Sequence, residues 1–284
     1  LASSSMPGEK SVVVRSRLRR PVVVCPPAET PALGTVILLH GFGLSGSQLS
    51  RRWSYLAATK SLRLVFLNAP KRRISCYDRF CVEAAWHDYL TDFGGTGRPH
   101  LEERVNEAHL RETRRIVRRV AAREAARYYD GDLQRIVLFG ESQGACTALD
   151  AALTMPQVVG GVFASHGMLY RRTPARTTDV RITAFHGSRD DTIAPGLALK
   201  SYATLVQRCP NFSLTLQANV GHCERCDEEK SLFEQALDDW LDLTTGHHHL
   251  GGNSDDHHHD KKKTKADNKT KTKKREGRAR SSAA

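Results

Sequence analysis

Apolar residues along this chain fall into short runs separated by segments of helical period. Thr35-Val-Ile-Leu-Leu-His40 reads as a continuous run ending in Gly-Phe-Gly, the pattern of a strand covered on both faces. Similar runs recur at Arg63–Leu67, Arg135–Phe139, Val158–Ala164 and Arg181–His186, with Phe212–Leu216 a weaker one. Two short β-branched runs, Val12–Val14 and Val22–Val24, precede them, the second closed by Pro26-Pro27. Between the runs, Ser47–Ala58, Glu102–Tyr128, Ala145–Leu153, Pro195–Val206 and Glu224–Leu243 carry helical spacing. Strands alternating with helices predict an α/β fold, a mostly parallel central sheet with helices on both faces.

Composition narrows the class. A chain of 284 residues that is 39% hydrophobic and 26% charged is not collagen-like, not a disulfide scaffold and not wholly disordered. No stretch reaches the ~18 uninterrupted apolar residues of a spanning helix. The net charge of +12 suggests a nucleic-acid partner until it is divided along the chain. His247–Ala284 holds 11 Lys+Arg against 5 Asp+Glu, a net of +6, so half the excess lies in the last 38 residues. That segment has no aromatic residue, Val, Ile or Met, too little apolar surface to offset chain ordering. The expected organisation is a disordered start over 1–10, one domain over 11–246, and a disordered His/Lys-rich basic tail over 247–284. No nucleic-acid partner is expected for the domain, since the basic tail lacks interleaved aromatics. Seven cysteines at irregular spacing indicate free thiols and a cytoplasmic setting. Arg15, Arg17, Arg19 and Arg20 interrupt any apolar leader in the first twenty residues.

The chemistry concentrates at Gly140-Glu-Ser-Gln-Gly144, which follows the run Arg135–Phe139 and precedes the small-residue segment from Ala145. A G-x-S-x-G between strand and helix is the context of a nucleophile elbow. Its glycines relieve the collisions that a sharp strand-to-helix turn creates, and the turn points Ser142 at the positive end of a helix. A serine nucleophile needs a base, and the base an orienting acid. Downstream, His186-Gly-Ser-Arg-Asp190-Asp191 ends a strand, and Asn219-Val-Gly-His222 lies in a loop before the last helix. The order Ser142, Asp190, His222 is that of the α/β-hydrolase triad, with Asp190 favoured over its neighbour Asp191. The backbone N–H of Gln143 is the expected first oxyanion donor, and the N–H of Phe42, in His40-Gly-Phe-Gly, the second. His40 is expected to pack beneath that loop.

Taken together, His40-Gly-Phe-Gly, Asn68-Ala-Pro, Ala85-Trp86-His-Asp88-Tyr-Leu-Thr-Asp, Gly140-Glu-Ser-Gln-Gly, His186-Gly-Ser-Arg-Asp190 and Gly221-His222 resemble the phospholipase/carboxylesterase family. That family includes the acyl-protein thioesterases and small carboxylesterases. The resemblance spans about residues 33–243 and implies an α/β-hydrolase fold and a serine hydrolase of carboxylic esters or thioesters, with no cofactor and no metal. It implies catalytic roles for Ser142, Asp190 and His222 and oxyanion roles for Phe42 and Gln143. The implied substrates are S-acylated proteins, lysophospholipids or short-chain esters. Departures from the family pattern are Glu141 where the family usually carries an apolar residue, Trp86-His87-Asp88 for Trp-Phe-Asp, and Asp190-Asp191 for Asp-Pro. Ala145 also stands where the family has a second Gly. A carboxylate at Glu141 calls for a basic partner or solvent contact.

Other features carry less. Cys223-x-x-Cys226 has no second pair at zinc-site distance, Cys76 and Cys81 read as loop and packing residues, and the clusters His247–His249 and His257–His259 read as low-complexity tail. The segment Glu102–Tyr128 carries Arg104, Arg111, Arg114, Arg115, Arg118, Arg119, Arg123 and Arg127. A solvated arginine face with partners such as Glu107–Arg111 accounts for it. The competing function is a catalytically inactive binding protein of the same fold, using that helix and the basic tail for peripheral contact with anionic surfaces.

Overall fold

The computed structural model of the chain describes residues 21–26, 31–77, 81–92, 98–174 and 178–243. The expected disordered start, the run Val12–Val14 and the tail from 247 lie outside the described residues. Among the described residues nine strands and six α-helices follow in order: β1 (Val22–Val24), β2 (Gly34–Leu39), α1 (Gly46–Trp53), α2 (Leu56–Thr59), β3 (Leu62–Leu67), β4 (Lys71–Arg73), β5 (Val82–Ala84), α3 (Glu107–Tyr128), β6 (Ile136–Glu141), α4 (Gln143–Leu153), β7 (Gly161–Ser165), β8 (Ile182–Gly187), α5 (Pro195–Arg208), β9 (Phe212–Gln217) and α6 (Asp227–Leu241).

Seven strands form one sheet in the order β1-β3-β2-β6-β7-β8-β9. β1 runs antiparallel to β3, and the remaining pairs are parallel. The expected α/β architecture is therefore the observed one. Strand residues alternate between two apolar layers, as the two-residue period of a pleated strand requires. Ile37 and Leu39 face a core built with α3, α4 and α5. Val36 and Leu38 face a second core that takes Leu49 and Trp53 from α1 and Phe233, Leu237 and Trp240 from α6. Phe233 is the hub of the second layer, its ring centroid 4.7 Å from Phe139, 4.8 Å from Phe163 and 5.1 Å from Trp53.

After β2 the chain steps outward to β3, then returns to the other side of β2 as β6. The crevice at such a reversal, outside the carboxyl ends of the strands, is where open α/β sheets bind ligands. The loop after β2 and the turn after β6 meet there.

Several boundaries differ from those read along the chain. The expected helix Glu102–Tyr128 starts at Glu107, because Val105 bridges to Tyr89 and Asn106 caps the helix by accepting from the N–H groups of Ala108 and His109. Ser47–Ala58 divides into α1 and α2. The last helix ends at Leu241, where Asp242 adopts a left-handed conformation with φ 51°. β4 and β5 pair as a separate ribbon, unforeseen because Lys71-Arg72-Arg73 shows no apolar run.

Replacing Phe233 with Ala is expected to destabilise the protein by ~3–5 kcal/mol in urea denaturation, since it removes the ring that three others pack against. A loss under about 1 kcal/mol would contradict this account of the second core.

Candidate active site

Ser142 stands between the last residue of β6 and the first of α4 with φ 53° and ψ −120°. A side-chain-bearing residue at positive φ is costly and persists only where its surroundings enforce it. Here the enforcement is packing. A Cβ on Gly140 would fall 2.2 Å from the Gly144 carbonyl oxygen, and one on Gly144 would fall 2.2 Å from that of Leu39. Strand, helix and neighbouring strand thus meet backbone to backbone. The Ser142 N–H donates to the Ser165 carbonyl at 2.9 Å, fastening the turn to β7.

Ser142 Oγ lies 2.8 Å from His222 Nε2, and His222 Nδ1 lies 2.8 Å from Asp190 Oδ2. An ionised carboxylate only accepts, so the ring nitrogen facing Asp190 carries the proton. That leaves Nε2 bare, able to accept from the serine hydroxyl. Asp191 is exposed and accepts from Thr192 Oγ1 at 3.3 Å; it takes no part in this chain of contacts. Among the two candidate carboxylates, Asp190 is the one brought to His222.

Asp190 gathers more donors than the sequence indicated. Oδ1 accepts from the N–H groups of Thr192 at 3.0 Å and Ile193 at 2.7 Å. Oδ2 also faces His166 Nδ1 at 3.4 Å and His186 Nε2 at 3.3 Å. Burial pushes the carboxyl up, but hydrogen bonds from His166, His222 and Ile193 outweigh it and hold Asp190 well below the usual carboxylate range. His166, Asp190 and His222 offer ligand atoms within 4.8 Å of one another, a spacing also compatible with a metal. Both imidazoles already use Nδ1 on the same carboxylate oxygen, and the contacts are those of a hydrogen-bonded cluster. Neither His166 nor His186 was singled out as a site residue from the sequence. The available signal was position: each closes a strand at the carboxyl edge.

The other motifs pack around Gln143 and the loop bearing Phe42. Gln143 is the first residue of α4, so its N–H has no intrahelical acceptor. Its side chain accepts from the Trp86 N–H at 2.8 Å and donates to the His87 carbonyl at 3.2 Å. Trp86 Nε1 donates to the His40 carbonyl at 2.8 Å, and the Ala69 N–H donates to His40 Nε2 at 3.0 Å. His40 is buried beneath the loop, as expected. Its Nδ1 donates to the Gly41 carbonyl at 2.7 Å. Phe42 follows in a turn closed by the Leu44 N–H on the Gly41 carbonyl at 3.2 Å, and a Cβ on Gly41 would lie 3.5 Å from that of Ser142. The loop bearing Phe42 is therefore held against the serine.

Glu141 is buried, as its position in β6 requires, and it has basic partners. Arg52 Nη1 lies 2.6 Å from Oε1 and Arg225 Nη2 3.2 Å from Oε2. A small crevice of about 40 Å³ lies beside Thr192 and Ile193, whose N–H groups bind Asp190, and is lined also by Tyr89, Leu101, Cys146, Met168 and Tyr170. Burial pushes the Cys146 thiol up to about 12, so it lines the crevice as a neutral, inert group. All seven cysteines are free thiols.

The sequence profile of the Phospholipase/Carboxylesterase family matches residues 19–235. The chain belongs to this family. Within it, the chain is similar to acyl-protein thioesterase 1 of Saccharomyces cerevisiae, 26% identical over 218 residues, covering 71% of this chain and 91% of the relative. The Kluyveromyces lactis acyl-protein thioesterase 1 is 28% identical over 221 residues, covering 72% and 91%. Among solved structures, Zea mays acyl-protein thioesterase 2 superposes with a TM-score of 0.59 at 20% identity, over 78% of this chain and 99% of that one. The Bacillus cereus carboxylesterase gives 0.58 at 17% identity, over 78% and 94%. These neighbours establish the α/β-hydrolase fold for this member of the phospholipase/carboxylesterase family.

Burial also sets how the protein responds to acid. His87 is buried against Tyr170 and Tyr89, and burial drives its pKa down to about 3; burial lowers His40 and His186 as well. The folded state keeps these rings neutral, whereas the unfolded chain protonates them near ~6.5. The stability they contribute is full above that pH and is lost as pH falls toward their folded pKa values, by up to ~1.4 kcal/mol per pH unit for each ring. Urea denaturation is expected to give lower stability at pH 5 than at pH 7.5, with a shallower decline in His87→Phe. Equal stability at the two pH values would contradict this.

Proposed function

We propose that this protein is a serine hydrolase that cleaves carboxylic esters or thioesters through an acyl-enzyme on Ser142. The observation that supports it most is the continuous chain from Ser142 Oγ through His222 to Asp190, with both contacts at 2.8 Å. Ser142 Oγ attacks the acyl carbonyl and passes its proton to His222 Nε2. Asp190 orients the ring and stabilises the imidazolium without itself taking the proton. The N–H groups of Phe42 and Gln143 receive the developing oxyanion. The tetrahedral intermediate collapses as His222 returns the proton to the leaving alcohol or thiol. A water deprotonated by His222 then attacks the acyl-serine, and the acid leaves as Ser142 recovers its proton.

The names of the yeast relatives favour S-acylated proteins as substrates, followed by lysophospholipids and short-chain esters. The first two of these sit at membrane surfaces. Arg111, Arg115, Arg119, Arg123 and Arg127 recur every fourth residue of α3 and are all exposed, which suits peripheral contact with anionic lipid. No helix among the described residues is long and apolar enough to cross a membrane. Free thiols suit a cytoplasmic setting.

The test compares wild type and Ser142→Ala on nitrophenyl esters and on thioesters of equal chain length. Hydrolysis is expected to fall at least ~1000-fold in the variant, with the thermal midpoint retained. A folded Ser142→Ala variant that hydrolyses at the wild-type rate would sink the assignment and leave the binding-protein reading in front.

A further inference from the structure

The serine and the histidine of the site belong to separate parts of the chain, and their 2.8 Å contact depends on how those parts are held together. The loop bearing His222 is tied on its Asp190 side by backbone. The Arg189 N–H donates to the Val220 carbonyl at 2.9 Å, and the Asn219 N–H to Ser188 Oγ at 2.9 Å. On the serine side, the link runs through Glu141, the residue before Ser142. Arg225 Nη2 reaches Glu141 Oε2 at 3.2 Å, while its Nη1 donates to the carbonyls of His222 at 3.2 Å and Glu224 at 3.0 Å. Arg52 grips the other Glu141 oxygen at 2.6 Å and, with its second nitrogen, Glu229 Oε2 at 2.6 Å. Glu229 is fully buried in the first turn of α6 and also accepts from Ser165 Oγ on β7.

We infer that Glu141, Arg52 and Arg225 form a positioning clamp that sets the distance between Ser142 and His222. The inference rests on the serine-hydrolase reading and adds to it the residues that hold the two reacting groups in register. One arginine would satisfy a buried carboxylate. Two arginines divide its oxygens between them, and each is fastened to a different end of the segment that carries the histidine, Arg225 at the loop and Arg52 through Glu229 at the helix. The planar guanidinium makes this geometry available because it presents several donors in a fixed fork, which a lysine does not. Because a small displacement of reacting groups costs rate without weakening substrate binding, the clamp acts on acylation.

The experiment measures the second-order rate of labelling by a fluorophosphonate, with ester kcat and KM and the thermal midpoint, on the full chain. Arg225 is the residue to vary, since its side chain is 33% exposed and that of Glu141 only 5%. Arg225→Gln is expected to lower the labelling rate and kcat ~10- to 100-fold, with KM and thermal midpoint near the wild-type values. Arg225→Lys is expected to recover only part of the loss. Glu141→Gln combined with Arg225→Gln should be little worse than the more impaired single variant, because both break one linkage. If Arg225→Gln does not fold, Arg225→Lys and Arg52→Lys carry the comparison. Wild-type labelling rates in any folded Arg225 variant would overturn the clamp alone. A wild-type protein that takes no label would overturn the serine-hydrolase reading and the clamp with it.

Discussion

The conformation of Ser142 is the constraint that organises the rest. Its φ of 53° is unfavourable for a residue with a Cβ, so the turn exists only because β6, α4 and β2 leave no alternative. Gly140 and Gly144 permit backbone contact that any larger residue would prevent. The strained turn places the serine hydroxyl outside the sheet edge and the Gln143 amide beside it. It also places Glu141 in the interior, where a carboxylate has to be paired. The arginines that pair it come from α1 and from the loop before α6, so the turn draws distant parts of the chain together.

A second carboxylate plays the matching part on the other side of the site. Asp190 could not remain ionised while buried without the donors from Thr192, Ile193, His166 and His222. Those donors hold the carboxylate in place, and the carboxylate in turn selects the His222 tautomer that leaves Nε2 free. The same burial keeps His40, His87 and His186 neutral. Of these, His40 supports the loop bearing Phe42 and His186 reaches Asp190. Charge and neutrality at this edge of the sheet are therefore set by packing as much as by direct hydrogen bonds.

Much of this was legible along the chain. The apolar runs give the parallel sheet because buried strands must be apolar on both faces, and they place Ser142, Asp190 and His222 at one edge because each follows a strand. Glu141 was recognisable as a carboxylate in need of a base. Its partners were not, since Arg52 and Arg225 look like ordinary surface arginines until α1 and α6 are packed on the sheet. His166 gives no signal along the chain for the same reason: its contact with Asp190 depends on the register of β7 with β8. The ribbon β4–β5 has no apolar run to announce it because it pairs the basic Lys71-Arg72-Arg73 with the short Val82-Glu83-Ala84 through their backbones.

The central claim is that Ser142 is acylated during turnover. The most direct measurement mixes wild-type protein with an activated nitrophenyl ester, quenches by acid within the first turnover, and maps the mass increase by peptide. The account predicts one acyl group per chain on the peptide containing Ser142, formed together with a stoichiometric burst of nitrophenol. Turnover with no covalent intermediate, or an acyl group on another residue such as Cys146 or Cys223, would contradict it.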